Sequence, residues 1–348
     1  MNETTSTPQD SAQSAQTETT LAEAPLAETV SAEAAPAATA MSENNAAEQT
    51  STRSGFVTLI GAPNAGKSTL VNRLVGTKVS IVTHKVQTTR ALVRGIVTEG
   101  ETQIVLVDTP GIFKPQRRLD RAMVTTAWGG ARDADLVLIL LDAQSGKLNE
   151  QAEAMLDNLA NVRQKKILIL NKVDRVDPPK LLKLAQAANE KVAFESTFMI
   201  SALTGSGCKD LLDYLTSQMP VGPWYYPEDQ ISDMPMRQLA AEVTREKLFL
   251  RLHEELPYSS TVETEKWEER KDGSVRIEQV IYVERDSQKK IVLGHKGESI
   301  KAIGQAARKE ISAILEQPAH LFLFVKVRDN WGNDPERYRE MGLEFPKG

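Results

Sequence analysis

Eight consecutive residues, Gly61-Ala62-Pro63-Asn64-Ala65-Gly66-Lys67-Ser68, fit the pattern G-x-x-x-x-G-K-[ST]. Glycines let backbone N–H groups turn inward around phosphate oxygens, and a helix opening near Lys67 adds a favourable field at its N-terminus. Lys67 would reach the β- and γ-phosphates of a nucleotide, and Ser68, followed by Thr69, would offer a hydroxyl to Mg²⁺. The alternative, a glycine-rich turn with a surface lysine, is the weaker reading of the same octapeptide even taken alone. A second segment, Asp108-Thr109-Pro110-Gly111-Ile112, follows the apolar run Gln103–Val107. A carboxylate at the end of a strand can meet a metal across from the phosphate loop. Gly111 has no side chain to keep its N–H from a γ-phosphate.

A third segment names the base. In Asn171-Lys172-Val173-Asp174, a carboxylate can accept two hydrogen bonds, from guanine N1–H and N2–H₂. Adenine offers neither donor there and would leave the carboxylate unpaired. The Lys172 stem can cover the base, and Ser201-Ala202-Leu203 lies where it can complete the pocket. Each segment is commonplace in isolation. Four of them in this order, each at the end of an apolar run, are not. They predict a GTP/GDP site with Mg²⁺, in which Lys67, Asp108 and Gly111 take part in the chemistry.

These residues need a frame. The runs Phe56–Ile60, Gln103–Val107, Leu136–Leu141, Ile167–Leu170 and Thr197–Ile200 are short and apolar, and helical composition lies between most of them. Parallel strands buried under helices on both faces look like this. The expected fold class is α/β, a doubly wound sheet over residues 55–219. Residues 220–236 hold Pro220, Pro223, Pro227 and Pro235 around Trp224, Tyr225 and Tyr226, and predict a stiff linker whose aromatics pack at a domain junction. Residues 237–328 read as a small α+β domain. It opens with an amphipathic helix bearing Leu239, Val243, Phe249, Leu252 and Leu256, and continues with strands Thr261–Trp267 and Val275–Val283 joined at Lys271-Asp272-Gly273. A helix after Gly297 and a strand Leu321–Val327 follow, and residues 329–348 read as a polar helix or tail.

The 348-residue chain is long enough for two or three domains. Residues 1–52 hold eight carboxylates and no Lys or Arg, so the net charge of −5 leaves +3 on the remainder. Residues 1–54 are poor in aromatics and lack apolar periodicity, and are expected to be a disordered acidic tail. The tail has neither the basic start and apolar middle of a secretory signal nor the Arg-rich, acid-poor composition of a transit peptide. One cysteine, Cys208, excludes an internal disulfide and suits a reducing compartment. No apolar run approaches the roughly 18–20 residues of a membrane span.

The nucleotide segments resemble those of the Era family of bacterial GTPases. The resemblance takes in Gln87-Thr88-Thr89-Arg90 and continues through Leu256-Pro257-Tyr258-Ser259, Val283-Glu284-Arg285 and Gly294-His295-Lys296-Gly297, over about residues 55–330. It implies that residues 80–90 form switch I, with Thr89 as the second hydroxyl ligand of Mg²⁺ and Thr88 as the alternative. It implies that Asp108–Ile112 begins switch II, with Ile112 where Ras-like enzymes carry a water-orienting Gln. Asn64 matches the loop asparagine that helps hold K⁺ in similar GTPases, where such a cation can neutralise developing charge.

The family also implies a type II KH domain. There Gly294-His295-Lys296-Gly297 would clamp the backbone of about four unpaired nucleotides. Lys289, Lys290 and Lys301 would neutralise phosphates together with His295 and Lys296. Residues 285–309 carry seven Lys/Arg against Asp286 and Glu298, whereas residues 237–348 balance 20 Lys/Arg with 20 Asp/Glu. The local patch, not bulk charge, must therefore attract RNA. By this resemblance the protein is a monomeric, cytoplasmic GTPase that binds the 3′ end of 16S ribosomal RNA and acts in 30S subunit assembly. The alternative is a signalling GTPase held peripherally on the cytoplasmic face of the inner membrane and acting on proteins.

Overall fold

The computed structural model describes residues 52–159, 162–252, 256–329 and 331–346. Residues 1–51, most of the expected tail, lie outside them.

The first domain is one mixed sheet of six strands in the order β2-β3-β1-β4-β5-β6. The strands are β1 (Arg53–Gly61), β2 (Val93–Glu99), β3 (Thr102–Asp108), β4 (Leu136–Asp142), β5 (Lys165–Asn171) and β6 (Ser196–Ile200). The helices are α1 (Lys67–Val75), α2 (Arg118–Asp133), α3 (Glu150–Asn158), α4 (Pro178–Lys191) and α5 (Cys208–Gln218). Side chains alternate faces along a strand. Leu136, Leu138 and Leu140 of β4 thus join a core with α1 and α5. Val137, Ile139 and Leu141 join another with residues of α2, α3 and α4. Two covered faces account for the uninterrupted apolar run.

β1 begins at Arg53, two residues inside the segment expected to be disordered. Arg53 and Ser54 pair with Thr102 and Gln103 of β3, and Ser54 bonds to the linker at Pro220 and Pro223. The sheet also holds one strand beyond the five expected. β2 is an antiparallel edge strand beside β3. Arg94 and Gly95 break its apolar run, and Gly95 packs so close to Val71 and Val75 of α1 that a Cβ would stand 2.7 Å from Val75.

The linker lies on the first domain. Gln103 accepts from the Tyr225 and Tyr226 N–H groups, Tyr225 packs on Phe56 at 4.7 Å, and Arg94 pairs with Asp233 at 2.7 Å. The aromatics bond to and pack on the first domain, at Phe56, Glu101 and Gln103.

The second domain comprises α6 (Met236–Arg251), β7 (Ser260–Glu269), β8 (Val275–Val283), α7 (Asp286–Leu293), α8 (Glu298–Ile314) and β9 (Ala319–Val327). β7 and β8 are antiparallel, and β8 and β9 parallel. The stripe on α8 is buried at Ile303, Ala307 and Ile311. α6 departs from a single apolar stripe. Thr244, Arg245 and Glu246 are buried as well, because this helix is covered by its own sheet on one side and by the first domain on another.

The chain ends in α9 (Pro335–Glu340). Residues from 329 onward are more than a polar tail. Trp331, Tyr338 and Leu343 are buried against Leu119, Ala122 and Met123 of α2. These three apolar residues are seven and five positions apart in a polar segment, so no periodicity announces them.

Candidate functional site

The phosphate loop runs from the end of β1 into α1, as the spacing requires. Gly66 has φ +99°, and a Cβ there would fall 2.2 Å from the Asn171 amide nitrogen. Only glycine fits. Gly111 is equally constrained, since a Cβ would meet Pro63 of the loop at 2.9 Å.

Three oxygens proposed for the metal converge. The Ser68 hydroxyl donates to Asp108 Oδ2 at 2.6 Å, lies 3.0 Å from Thr89 Oγ1, and Thr89 donates to the same Oδ2 at 3.2 Å. Asp108 is fully buried, and its Oδ1 has no hydrogen-bond partner. Burial raises its pKa, against the opposing pull of Lys67 and then of the Ser68, Ser80 and Thr89 hydroxyls. An orphaned carboxylate oxygen beside two hydroxyls fits a hard cation of Mg²⁺ type, which commonly takes one carboxylate and completes its shell with phosphate and water. Among the described residues no cluster of three His, Cys, Asp or Glu could hold a metal unaided. Thr88 is turned elsewhere, donating to Lys85 O at 2.6 Å, which favours Thr89 as the ligand. Ser80 was not singled out by the sequence for the metal, yet its hydroxyl donates to Asp108 Oδ2 at 2.7 Å.

Lys67 is buried, and its ammonium donates to Gly61 O at 3.1 Å and Ala62 O at 3.2 Å. Burial pulls its pKa from 10.5 to about 8, with Asp108 opposing the shift. Phosphates beside it favour the charged form. Nucleotide binding should therefore take up more of a proton near pH 9 than near pH 7, with affinity falling as pH rises well above 8. Calorimetry in two buffers of different ionisation enthalpy measures this, and equal uptake at both pH values would count against it.

The base end is built by Asn171. Its amide donates to Ala65 O at 2.8 Å and accepts from Ala202 N at 3.0 Å and Lys172 N at 2.8 Å. It thereby ties the phosphate loop, Lys172–Asp174 and Ser201–Leu203 into one unit. Lys172 has φ +69° and pairs with Asp142 of β4 at 2.6 Å. The Ser201 hydroxyl bonds to Asp174 and holds its carboxyl below the usual range, so it is ionised at neutral pH as guanine recognition needs. A cleft of about 320 Å³ is lined by Asn64, Lys67, Ser68, Thr69, Thr89, Gly111 and Lys172. Pro63 also lines the cleft, while the Ile112 and Val173 side chains pack with the core that covers α2–α4. Thr109 anchors β3 to β1 by donating to Leu59 O at 2.6 Å.

The second candidate site lies around Gly294–Gly297, a short turn joining α7 to α8. Gly294 and Gly297 have φ +72° and +81°, and Lys296 has φ +48°. A groove of about 540 Å³ runs between α8 and β9, lined by Ile300, Lys301, Gly304, Arg308, Phe322 and Phe324 among others. Lys301 lines it, while Lys289 and Lys290 stand on α7 outside its wall. Phe322 and Phe324 are 42% and 49% exposed. The sequence reading passed over them as ordinary strand residues. Two aromatics on one strand face, two residues apart and open to solvent, are a platform on which bases can stack.

Residues 56–172 match the family described as 50S ribosome-binding GTPase, and residues 255–332 match the KH domain family. The chain is 81% identical over 299 residues to GTPase Era of Brucella suis biovar 1, covering 86% of this chain and 96% of that one. It is 74% identical over 309 residues to GTPase Era of Rhizobium meliloti, covering 89% and 98%. Among solved structures it is similar to a crystal structure of Era in complex with MgGDPNP and nucleotides 1506–1542 of 16S ribosomal RNA. That similarity has a TM-score of 0.79 at 35% identity over 84% of this chain and 99% of that one.

Proposed function

This chain belongs to the Era family of GTPases, enzymes that hydrolyse GTP, and from that premise we propose that it couples GTP hydrolysis to binding the 3′ end of 16S ribosomal RNA during assembly of the 30S subunit. The observation that carries the proposal is the coexistence in one chain of the convergent Ser68–Thr89–Asp108 cluster and the glycine-bounded turn beside an aromatic, basic groove. Ser68, Thr89 and Asp108 would hold Mg²⁺, which when bound supplies positive charge to the β- and γ-phosphates. Lys67 adds a second cation from the loop, and the Gly111 N–H faces the phosphate side. Asp174 reads guanine, with Ser201 and Asn171 fixing its surroundings. Asn64 is the candidate for holding K⁺. Its amide nitrogen donates to His84 O at 2.7 Å, tying the loop to switch I and leaving the amide oxygen for a cation. At the other site, His295 and Lys296 supply donors to RNA phosphates, Lys301 and Arg308 flank the strand's path, and Phe322 and Phe324 offer ring faces to its bases.

The test uses His295→Asp with Lys296→Asp. Substituting the glycines is less clean, since a Cβ at Gly294 would stand 2.7 Å from Ser299. Aspartate tolerates the positive φ at position 296. Two carboxylates at the point of closest approach should reduce affinity for single-stranded 16S 3′-end RNA by 100-fold or more, on the order of 3 kcal/mol, while GTP turnover stays at the wild-type rate. Wild-type affinity should fall with salt with a log–log slope near −3, from about −0.7 per phosphate over four contacts. Anisotropy across a salt series reads both. Unchanged RNA binding by the variant would remove the loop from the interface. A wild-type protein that binds no RNA would favour the membrane signalling reading.

A further inference from the structure

We infer that Arg245, on the first helix of the second domain, is a positioning residue for GTP hydrolysis, acting by holding the main chain that carries Thr89. The inference rests on reading Thr89 as a magnesium ligand. Arg245 is 1% exposed. Its Nε donates to Glu242 Oε1 at 2.7 Å and its Nη2 pairs with Glu242 Oε2, one turn back on α6. That pair fixes the plane of the guanidinium. The terminal nitrogens then reach across the domain boundary, Nη1 to Gln87 O at 3.4 Å and Nη2 to Thr88 O at 2.5 Å. The Thr88 carbonyl belongs to the peptide that enters Thr89, so this bond sets the tilt from which the Thr89 hydroxyl is aimed.

Bonds within the first domain hold the side chains of Gln87 and Thr88, whereas Arg245 holds their carbonyls. Behind switch I lies a cavity of about 410 Å³ between the domains, lined by Thr89, Arg90, Glu242, Arg245 and Trp331 among others. A void forfeits the contacts that hold a packed segment still. Hydrogen bonds take over part of that task, and the second domain supplies some of them on both sides of Thr89. On the following residue, the Arg90 guanidinium donates to Ser260 O at 2.9 Å and Pro257 O at 3.2 Å. Only a planar fork with several donors can bind a carboxylate and two carbonyls at once, so lysine is a poor substitute for Arg245.

A threonine in switch I meets the metal in the triphosphate state and is released after hydrolysis. Loss of Arg245 should therefore weaken GTP and spare GDP. Full-length Arg245→Met, Arg245→Lys, Thr89→Ala and the Arg245→Met/Thr89→Ala double variant are compared. Arg94→Met, which removes a contact with the linker at Asp233, controls for a loosened domain boundary. Three readings are taken: turnover against Mg²⁺ concentration, affinity for a fluorescent non-hydrolysable GTP analogue, and affinity for fluorescent GDP.

Arg245→Met should lower turnover and analogue affinity roughly tenfold and raise the Mg²⁺ needed for half-maximal turnover, with GDP affinity unchanged. Arg245→Lys should recover part of the loss, and Arg94→Met should behave as wild type. The double variant should be no worse than Thr89→Ala, because residues acting through one another are not additive. Wild-type turnover and Mg²⁺ dependence in an Arg245→Met protein with normal GDP affinity would overturn the inference, as would additive losses in the double variant. If Arg245→Met binds no GDP and is misfolded, Arg245→Lys decides, and wild-type analogue affinity in it overturns the inference. If Thr89→Ala alone changes nothing, the metal-ligand reading of Thr89 fails and the role of Arg245 fails with it.

Discussion

Asp174→Asn should convert the protein from a GTP-preferring to an XTP-preferring enzyme. On the proposed reading the wild-type carboxylate would accept from two guanine donors, and a hydrogen bond to a charged group contributes about 1.5–3 kcal/mol. The amide keeps one oxygen for N1–H but loses the charge and sets an N–H₂ against guanine's amino group, which should cost GTP on the order of 10³-fold in kcat/KM. Xanthine carries an oxygen where guanine carries its amino group, so the new amide gains an acceptor there. The substitution is nearly isosteric. Ser201 still has an oxygen to donate to, and the loop ties made by Asn171 to Ala65, Lys172 and Ala202 are untouched. Turnover of XTP by the variant should therefore approach that of GTP by the wild type. Competition between the two nucleotides measures the switch, and a variant that keeps the wild-type margin for GTP would remove Asp174 from the base pocket.

Replacing Lys67 with methionine should cripple hydrolysis yet stabilise the nucleotide-free protein. The first effect is a loss of charge facing the phosphates and should reduce kcat on the order of 10³-fold. The second follows from its depressed pKa. Lys67 titrates near 8 in the folded protein against 10.5 ordinarily. The folded state thus binds fewer protons than the unfolded state between those values, and stability rises with pH across that window. Below pH 8 the full penalty is present, about 3 kcal/mol by the 1.36 kcal/mol per unit conversion. Methionine keeps the stem and carries no charge, so at pH 7 its Tm should be higher by several degrees without nucleotide, and the gain should shrink toward pH 10. A lower Tm at pH 7 would mean that the bonds to Gly61 O and Ala62 O outweigh the desolvation.

Much of the nucleotide site was legible because its chemistry demands contiguous residues. A backbone cradle for phosphate needs glycine at fixed offsets. Base recognition needs a carboxylate at the end of a strand. The structure adds what such segments lean on. Ser80 holds Asp108 from 28 positions away, Gln87 donates to Asp120 at the start of α2 from 33 away, and Arg245 reaches Thr88 from 157 away. No local pattern marks such partners, since a serine, a glutamine and an arginine are ordinary surface residues until the fold buries them. β2 was missed for a related reason. An edge strand built around a glycine that admits α1 gives up the apolar run by which its neighbours are recognised. The C-terminal segment hid in the same way, with Trp331, Tyr338 and Leu343 too widely spaced to form a face before they dock.

That docking has a mechanical consequence. The second domain is tied to the first by the linker along β1–β3 before it, by the Trp331 cluster on α2 after it, and between these by the bonds that Arg90, Arg245 and Glu246 make with or from residues 78–90. The outer ties rest on the sheet and on the helix that follows Asp108–Ile112, and the middle one rests on switch I. A displacement of switch I therefore tugs at the middle of a span whose two ends are anchored elsewhere, and lifting the whole domain away must first pull a tryptophan and a tyrosine out of the α2 surface.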